Sequence, residues 1–335
     1  MLHNWLNHHD LIRLAEKVRD GNLRRVLGRF FLPSAKRVQK AWHAGASPPV
    51  HWWDIPAVRR RWNRKITGDE NTDHYAYFTQ KYFGREGRLV ALSPGCGRGE
   101  VERRWAAEGA FARIEGVDLS PDRIAYARRQ ARRDGLDHLL HFSVGDVHRL
   151  DWRESAYDIV IFEGALHHFS GIDRVLKKAA RALKPDGYLF LNEFVGPARF
   201  QWTDRQLQAV NGLLHVLPER FRVRYGTSRL KRQVYRPGKL WMLLSDPSEA
   251  VESDRIRTAV KRYFEPVEEK EYGGTVLSLL FSEIAHNFLT EENGARTWLQ
   301  FCFDAEDLLL EQGELTSDYL MGLYRPRREI KPGRA

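Results

Sequence analysis

Leu89-Val90-Ala91-Leu92-Ser93-Pro94-Gly95-Cys96-Gly97-Arg98-Gly99 is the stretch on which the fold turns: a short apolar run delivered into three glycines at alternate positions. The run is a strand candidate, and residues 99–109 read as the helix that follows it. A strand that turns straight into a helix brings its backbone close to a ligand beyond the sheet edge, where a Cβ would be in the way. The spacing is G-x-G-x-G, whereas a dinucleotide fold wants G-x-G-x-x-G to seat a pyrophosphate on the helix N-terminus.

Downstream the same texture repeats. Residues 114–118 are the second strand candidate, and 121–134 the next helix, opened by Ser120 as N-cap with Pro121 in the first turn. Residues 139–144, 157–162 and 188–194 are the third, fourth and fifth strands. Ile172, Val175, Leu176, Ala179 and Leu183 lie on one helical face, and Lys184-Pro185-Asp186-Gly187 reads as the turn that ends that helix. Strands alternating with helices of this length predict an α/β fold whose sheet is mostly parallel and covered on both faces. Past Gly196 the alternation lapses. It resumes with a helix over 254–264, a strand over 267–272, helical patches at 277–289 and 295–311, and a final strand over 319–324. Upstream, residues 1–45 read as amphipathic helix broken at Gly21-Asn22. An aromatic and basic stretch then runs from His51 to Asp69, followed by a helical patch with Tyr75, Tyr77, Phe78, Tyr82 and Phe83. These aromatics are expected to pack an N-terminal helical layer.

Ligands on open α/β sheets bind at the carboxyl ends of the strands. Asp118 ends the second strand, where a carboxylate accepts both hydroxyls of a ribose. The third strand ends in Gly145-Asp146-Val147, with Asp146 placed to receive the exocyclic amine of an adenine. The fourth ends in Glu163-Gly164-Ala165-Leu166-His167-His168-Phe169. Four consecutive strand ends therefore present ligand-type residues.

On these residues the chain resembles the class I S-adenosylmethionine-dependent methyltransferases, clearly over about residues 85–196 and by element order to the C-terminus. The resemblance implies a Rossmann-like seven-stranded sheet, mostly parallel with the last strand antiparallel, carrying an N-terminal helical extension and a lid insertion after strand five. It implies S-adenosylmethionine as cofactor and S-adenosylhomocysteine as product. Ser93, Gly95, Cys96 and Gly97 would line the methionine part, Asp118 and Leu119 the ribose, Gly145, Asp146 and Val147 the adenine, and Glu163, Gly164 and Ala165 the floor under the sulfonium. One departure stands out: the family usually has Asp or Glu two residues before the first glycine, and here that residue is Ser93. The methionine amino group is then expected on backbone carbonyls or on a residue of the N-terminal helices. The texture is that of the branch acting on small molecules. The fourth strand does not end in the Asn-Pro-Pro-Tyr or Asp-Pro-Pro-Tyr arrangement that holds a flipped base, and the two cysteines, Cys96 and Cys302, are badly placed for thiol-based methylation of a pyrimidine. The second half, with Asn192-Glu193-Phe194 and Asp246-Pro247-Ser248, resembles bacterial methyltransferases associated with surface-glycan or secondary-metabolite assembly.

Methyl transfer from a sulfonium is an in-line displacement, so positioning and water exclusion carry most of the catalysis. A hydroxyl acceptor must also lose a proton. His168 is the favoured base on the acceptor side, His167 its neighbour, and Glu193 a second candidate. Arg199 is a candidate for fixing an anionic acceptor. Residues 220–239 hold eight basic side chains and no acidic one, and within them Arg229 and Arg232 could form a bidentate anion clamp.

Composition bounds the rest. The chain has 335 residues, 42% hydrophobic and 29% charged, which excludes disordered, collagenous and low-complexity classes. No apolar run approaches the ~20 residues of a membrane span, and the start lacks the apolar core of a signal peptide, so a cytoplasmic protein is expected. Two cysteines cannot build a disulfide framework or a Cys-rich zinc site, and no metal is expected. The net charge of +10 admits an anionic partner. A small acceptor, anionic or glycan-type, is favoured and nucleic acid disfavoured; an RNA methyltransferase and a non-catalytic cofactor-binding protein are the alternatives, and the oligomeric state is left open. The expected organisation is a helical cap over 1–84, a cofactor-binding core over 85–196, a lid over 197–250, completion of the sheet over 251–325, and a basic tail over 326–335.

Overall fold

The computed structural model describes Asp10, residues 50–292 and residues 294–327. Readings that fall on residues 1–45, apart from Asp10, and on the tail beyond residue 327 lie outside the described residues. The chain divides into two compact units, one formed by residues 72–195, 254–271 and 320–335, the other by residues 1–71, 196–253 and 272–319.

The first unit is built on a sheet of β1 (Leu89–Pro94), β2 (Phe111–Asp118), β3 (Leu140–Val144), β4 (Tyr157–Glu163), β5 (Leu183–Phe194), β6 (Phe264–Gly273) and β7 (Tyr319–Pro326), in the order β3-β2-β1-β4-β5-β7-β6. Strands β1 to β5 pair in parallel. The order reverses between β1 and β4, so the crevice at their carboxyl ends is the topological switch point of the sheet. The strands expected from the sequence all form.

The helices between them follow local rules. The helix Pro121–Arg133 starts at Ser120, whose hydroxyl accepts from the Arg123 amide, with proline in its first turn. The helix Ile172–Ala182 buries Ile172, Val175, Leu176, Ala179 and Ala182 against the sheet. One expectation is corrected here: Lys184-Pro185-Asp186-Gly187 does not precede β5 but lies inside it. Tyr157 pairs with Leu183 and Ile159 with Tyr188, so the extra residues form a bulge opposite Asp158, whose carboxylate takes the Lys184 ammonium at 2.8 Å. Residues 74–83 form a short helix, His74–Phe78, and a π-turn, Thr79–Phe83. Their aromatics pack within this unit, Tyr75 and Phe78 joining Trp105 and Phe190.

In the second unit a helix over Pro56–Thr67 follows the turn Trp52–Asp54, and later helices run over Asp204–Val216, Leu277–Phe281 and Ala295–Glu311. Thr203 caps the second of these by accepting from the Gln206 amide. Trp52, Val58, Val210, Leu214, Phe281, Phe288 and Leu299 belong to its core. Arg61 is buried there against Glu306 at 3.0 Å and Asp307 at 2.8 Å. Among the described residues no helix is long and apolar enough to cross a membrane.

Candidate functional site

The glycine turn after β1 takes the shape its sequence demands. Gly95, Gly97 and Gly99 all have positive φ, at 80°, 55° and 72°, in the left-handed region that side-chain-bearing residues rarely adopt. Crowding adds a second reason at Gly99, where a Cβ would come within 2.7 Å of the Phe142 ring and 3.0 Å of Ala127 Cβ. At Gly97 it would meet only the Arg123 guanidinium, at 3.3 Å. The turn is fastened to β2: the amides of Gly95 and Cys96 donate to the Val117 carbonyl at 2.7 and 3.1 Å.

Asp118 sits at the end of β2 as expected. Its Oδ2 accepts from the Gly97 amide at 3.0 Å and its Oδ1 from the Ser120 amide at 2.8 Å. Each oxygen keeps a further lone pair, so the carboxylate is held in orientation while still able to accept two hydroxyls. Asp146 is fixed likewise, its Oδ1 accepting from the His148 amide at 2.9 Å, and the Gly145 amide donates to the Asp118 carbonyl at 3.0 Å. Half-buried Leu119 and buried Val147 flank these carboxylates with apolar surface. The ends of β1, β2 and β3 are thus tied together by the residues proposed for ribose and adenine.

The end of β4 differs in detail. Glu163 Oε1 accepts from Tyr75 Oη at 2.9 Å, from the Asn192 amide at 3.1 Å, and contacts His74 Nε2 at 3.0 Å, while Trp105 Nε1 donates to Oε2 at 3.4 Å. Burial alone would raise its pKa, but the neighbouring His74, then Tyr75 and Asn192, outweigh burial and hold it below the usual carboxylate range. Glu163 is therefore a charged node pinning the His74–Phe78 helix to the sheet. His74, Tyr75 and Asn192 were not singled out from the sequence, because partners drawn from a helix before β1 and from β5 meet only in three dimensions.

Glu193, the second base candidate, stands at the end of β5. Its carboxylate is only 1% exposed and is consumed by the turn after β4. Oε1 accepts from the amides of Ala165 at 2.7 Å and Leu166 at 2.6 Å, and Oε2 faces His167 Nδ1 at 2.6 Å and the His167 amide at 3.4 Å. Three backbone amides and the His167 ring thus engage this carboxylate. The adjacent ring, His168, is half-buried and lies tilted against His167 at 4.1 Å between centroids.

Ser93 is buried at the end of β1, and its hydroxyl reaches Glu102 Oε1 at 2.5 Å. Glu102 lies in the first turn of the helix Glu100–Ala107. A carboxylate thus stands directly behind the position where the sequence lacks one.

The cationic residues of the second unit are placed as follows. Arg199 is half-buried with a positive φ of 55°; its Nη1 donates to the Pro247 carbonyl at 2.6 Å and to that of Glu249 at 3.3 Å. It clasps the loop that carries Pro247 and Glu249. Several side chains of the basic window are tied to other segments of this unit. Lys231 donates to the carbonyls of Leu279, Leu280 and Ser282 at the end of the Leu277–Phe281 helix, at 2.6, 3.1 and 2.7 Å. Arg236 holds Trp202 O and Asp204, and Arg224 lies 3.5 Å from Glu283. Arg229 is exposed on the hairpin closed by the Val223–Leu230 bridge, and Arg232 is exposed just beyond it.

Comparison with known proteins bears on the core. Residues 92–191 match the family model described as a methyltransferase domain. The chain is 30% identical over 104 residues to 27-O-demethylrifamycin SV methyltransferase of Amycolatopsis mediterranei, covering 31% of this chain and 38% of that one. It is 28% identical over 160 residues to demethylmenaquinone methyltransferase of Tropheryma whipplei, covering 45% and 64%. The chain thus spans less than two thirds of the length of these curated relatives. A solved S-adenosylmethionine-dependent methyltransferase from Mesorhizobium loti superposes with a TM-score of 0.42 at 18% identity, covering 74% of this chain and 95% of that one. Over residues 92–191 the chain is thus similar to methyltransferases.

Proposed function

We propose that the protein transfers a methyl group from S-adenosylmethionine to a hydroxyl of a small acceptor, of secondary-metabolite or sugar-containing type, with His167 as the base. The observation that carries this reading is the Glu193–His167 pair, set at the strand ends in the same row as the glycine turn and Asp118. Two relatives are named for acceptors that are small molecules, a demethylrifamycin and a demethylmenaquinone, which supports the acceptor class.

The bound cofactor supplies an electrophilic methyl on a sulfonium. The left-handed glycines let the backbone come close to the amino-acid part, and Asp118, oriented by two amides, receives the ribose hydroxyls. Asp146 and Val147 flank the adenine. Glu193 accepts the Nδ1 proton of His167, which leaves the lone pair on Nε2 and directs basicity to that atom. His167 then takes the acceptor's hydroxyl proton as the oxygen attacks. Because the ring is held at 2.6 Å by a buried carboxylate, the imidazolium it becomes is compensated in place.

Calorimetry with S-adenosylmethionine and S-adenosylhomocysteine, with Asp118→Ala as control, tests the cofactor assignment; affinity unaffected by that change would sink it. A labelled-methyl assay across hydroxylated acceptors, with carboxylated and phosphorylated members, tests the acceptor class. Charge reversal at Arg229 and Arg232 raises the KM of an anionic acceptor if those exposed residues clamp it, and an unchanged KM removes the clamp.

A further inference from the structure

The first glycine turn lacks an acidic residue at position 93, and burial of a carboxylate behind it calls for an explanation. Glu102 is 1% exposed, and its Oε2 is buried with no hydrogen-bond partner. Its other oxygen, Oε1, accepts the hydroxyl of Ser93, which is itself 3% exposed. An orphan oxygen on a buried carboxyl costs on the order of several kcal/mol unless a partner arrives, so a position of this kind is seldom kept for packing alone.

We propose that Glu102, acting through Ser93, replaces the acidic residue missing from position 93 and is the carboxylate that receives the positive charge of the cofactor's amino-acid end. The inference rests on the cofactor reading above. Its chemistry follows from donor and acceptor counting. Ser93 spends its only proton on Glu102, so its oxygen can only accept, which suits an ammonium donor. Glu102 sits in the first turn of an eight-residue helix, where the macrodipole favours a negative charge. The groups facing it are Tyr75 from the helix before β1, Cys96 in the glycine turn, Asp118 from β2 and Glu163 from β4. These carry negative charge or none, and burial followed by the Glu163 and Asp118 charges pushes the Glu102 pKa up to about 7, against the Ser93 hydrogen bond. The site is therefore poised between the protonated and charged forms near neutrality. A cation brought beside it favours the charged form, so binding releases a proton and affinity for the cofactor rises from pH 5 to pH 7 before levelling off.

The test is isothermal calorimetry of the full chain with S-adenosylmethionine, in buffers of different ionisation enthalpy, on the wild type, Glu102→Gln, Glu102→Ala and the transposed double variant Ser93→Asp with Glu102→Ala. Thermal melts establish that each variant is folded. At pH 6.5 the wild type releases ~0.7 proton more per cofactor bound than Glu102→Gln, from a group half-titrated near pH 7. Both single variants bind ~10-fold or more weakly, and the double variant recovers most of that loss. A wild type that binds with the proton count and pH dependence of Glu102→Gln overturns the proposal. So does a loss in Glu102→Ala that the transposed carboxylate fails to recover. A wild type that binds no cofactor at any pH overturns the cofactor reading and this inference together, whereas tight but proton-independent binding removes only the inference.

Discussion

Replacing Glu193 by glutamine separates the two things its carboxylate does. In the wild type, Oε1 takes the amides of Ala165 and Leu166 at 2.7 and 2.6 Å, while Oε2 takes His167 Nδ1 at 2.6 Å. Glutamine keeps the shape and one carbonyl oxygen, which the two backbone amides claim. Its NH2 must then face His167 Nδ1, and since that group only donates, Nδ1 has to become the acceptor and the ring proton moves to Nε2. The nitrogen that should accept the acceptor's proton now carries one. Converting charged to neutral hydrogen bonds costs ~1 kcal/mol each, so stability falls by about 2–3 kcal/mol. Catalysis falls further, by the ~10²–10⁴-fold that a positioned base contributes.

The tautomer can be read without knowing the acceptor. Long-range ¹⁵N–¹H correlation of labelled histidine distinguishes a protonated Nδ1 from a protonated Nε2; the wild type should show the former at His167 and Glu193→Gln the latter. Cofactor affinity in Glu193→Gln falls much less than kcat, because the change leaves Asp118 and the glycine turn alone and keeps an acceptor for the Ala165 amide. A wild-type His167 protonated on Nε2, or a Glu193→Gln enzyme with undiminished kcat, refutes the reasoning. Glu193→Ala adds a control of a different kind: removing one member of a buried ionic cluster costs ~3–5 kcal/mol, so it should melt well below the glutamine variant.

Glu268 supplies an acid-stability prediction. Burial would raise its pKa, but hydrogen bonds from Tyr82, Tyr77 and Lys81 outweigh it and bring the value down to about 2. A carboxylate depressed in the folded state stabilises it above the unfolded pKa and loses that contribution as pH falls toward 2; acid unfolding of Glu268→Gln should lack the part of the pH dependence between about 5 and 2. Gly99→Ala forces a left-handed alanine against Phe142 and Ala127, and should cost about 2–4 kcal/mol in denaturant titration. Gly97→Ala meets only the tip of Arg123, so its loss should fall mainly on cofactor affinity measured by calorimetry. Lys231→Met leaves three carbonyls at a helix end without their donor and should destabilise the second unit in a thermal melt without changing cofactor binding.

Much of the core could be read in the sequence because it obeys short-range rules. Alternate glycines, an N-cap serine before proline and period-3.6 apolar residues each depend on a window of a dozen residues, and β1 to β5 followed from them. The strand ends followed too, since the crevice outside the carboxyl ends is a topological consequence. What escaped was set by partners distant in sequence. The Lys184–Gly187 segment has turn residues yet is drawn into β5 as a bulge, because Asp158 on the neighbouring strand holds Lys184. Eight basic residues in one window read as a place for an anion clamp, yet Lys231 is buried under a helix end 48 residues on and Arg236 ties back to Asp204. Glu193 read as a base because it ends a strand, and only the amides of the neighbouring turn show that its lone pairs are already committed.

Ser93 and Glu102 carry this point furthest. Judged position by position, Ser93 is a missing acid and Glu102 an ordinary helix residue among Glu100 and Arg103, with nothing to distinguish it from a solvated face. The strand, the glycine turn and the first helical turn fold the chain back so that residues nine apart touch, and the charge absent from one is present on the other. A pattern that scores residues separately sees a departure followed by an unremarkable glutamate. The physical requirement acts on the space between the two backbones, which asks for one carboxylate and does not specify which backbone it hangs from. If the transposed variant restores cofactor affinity, the same reasoning extends to other chains in which a small polar residue fills that strand-end position: the acid should be sought one turn into the following helix, on the face that packs back against the strand.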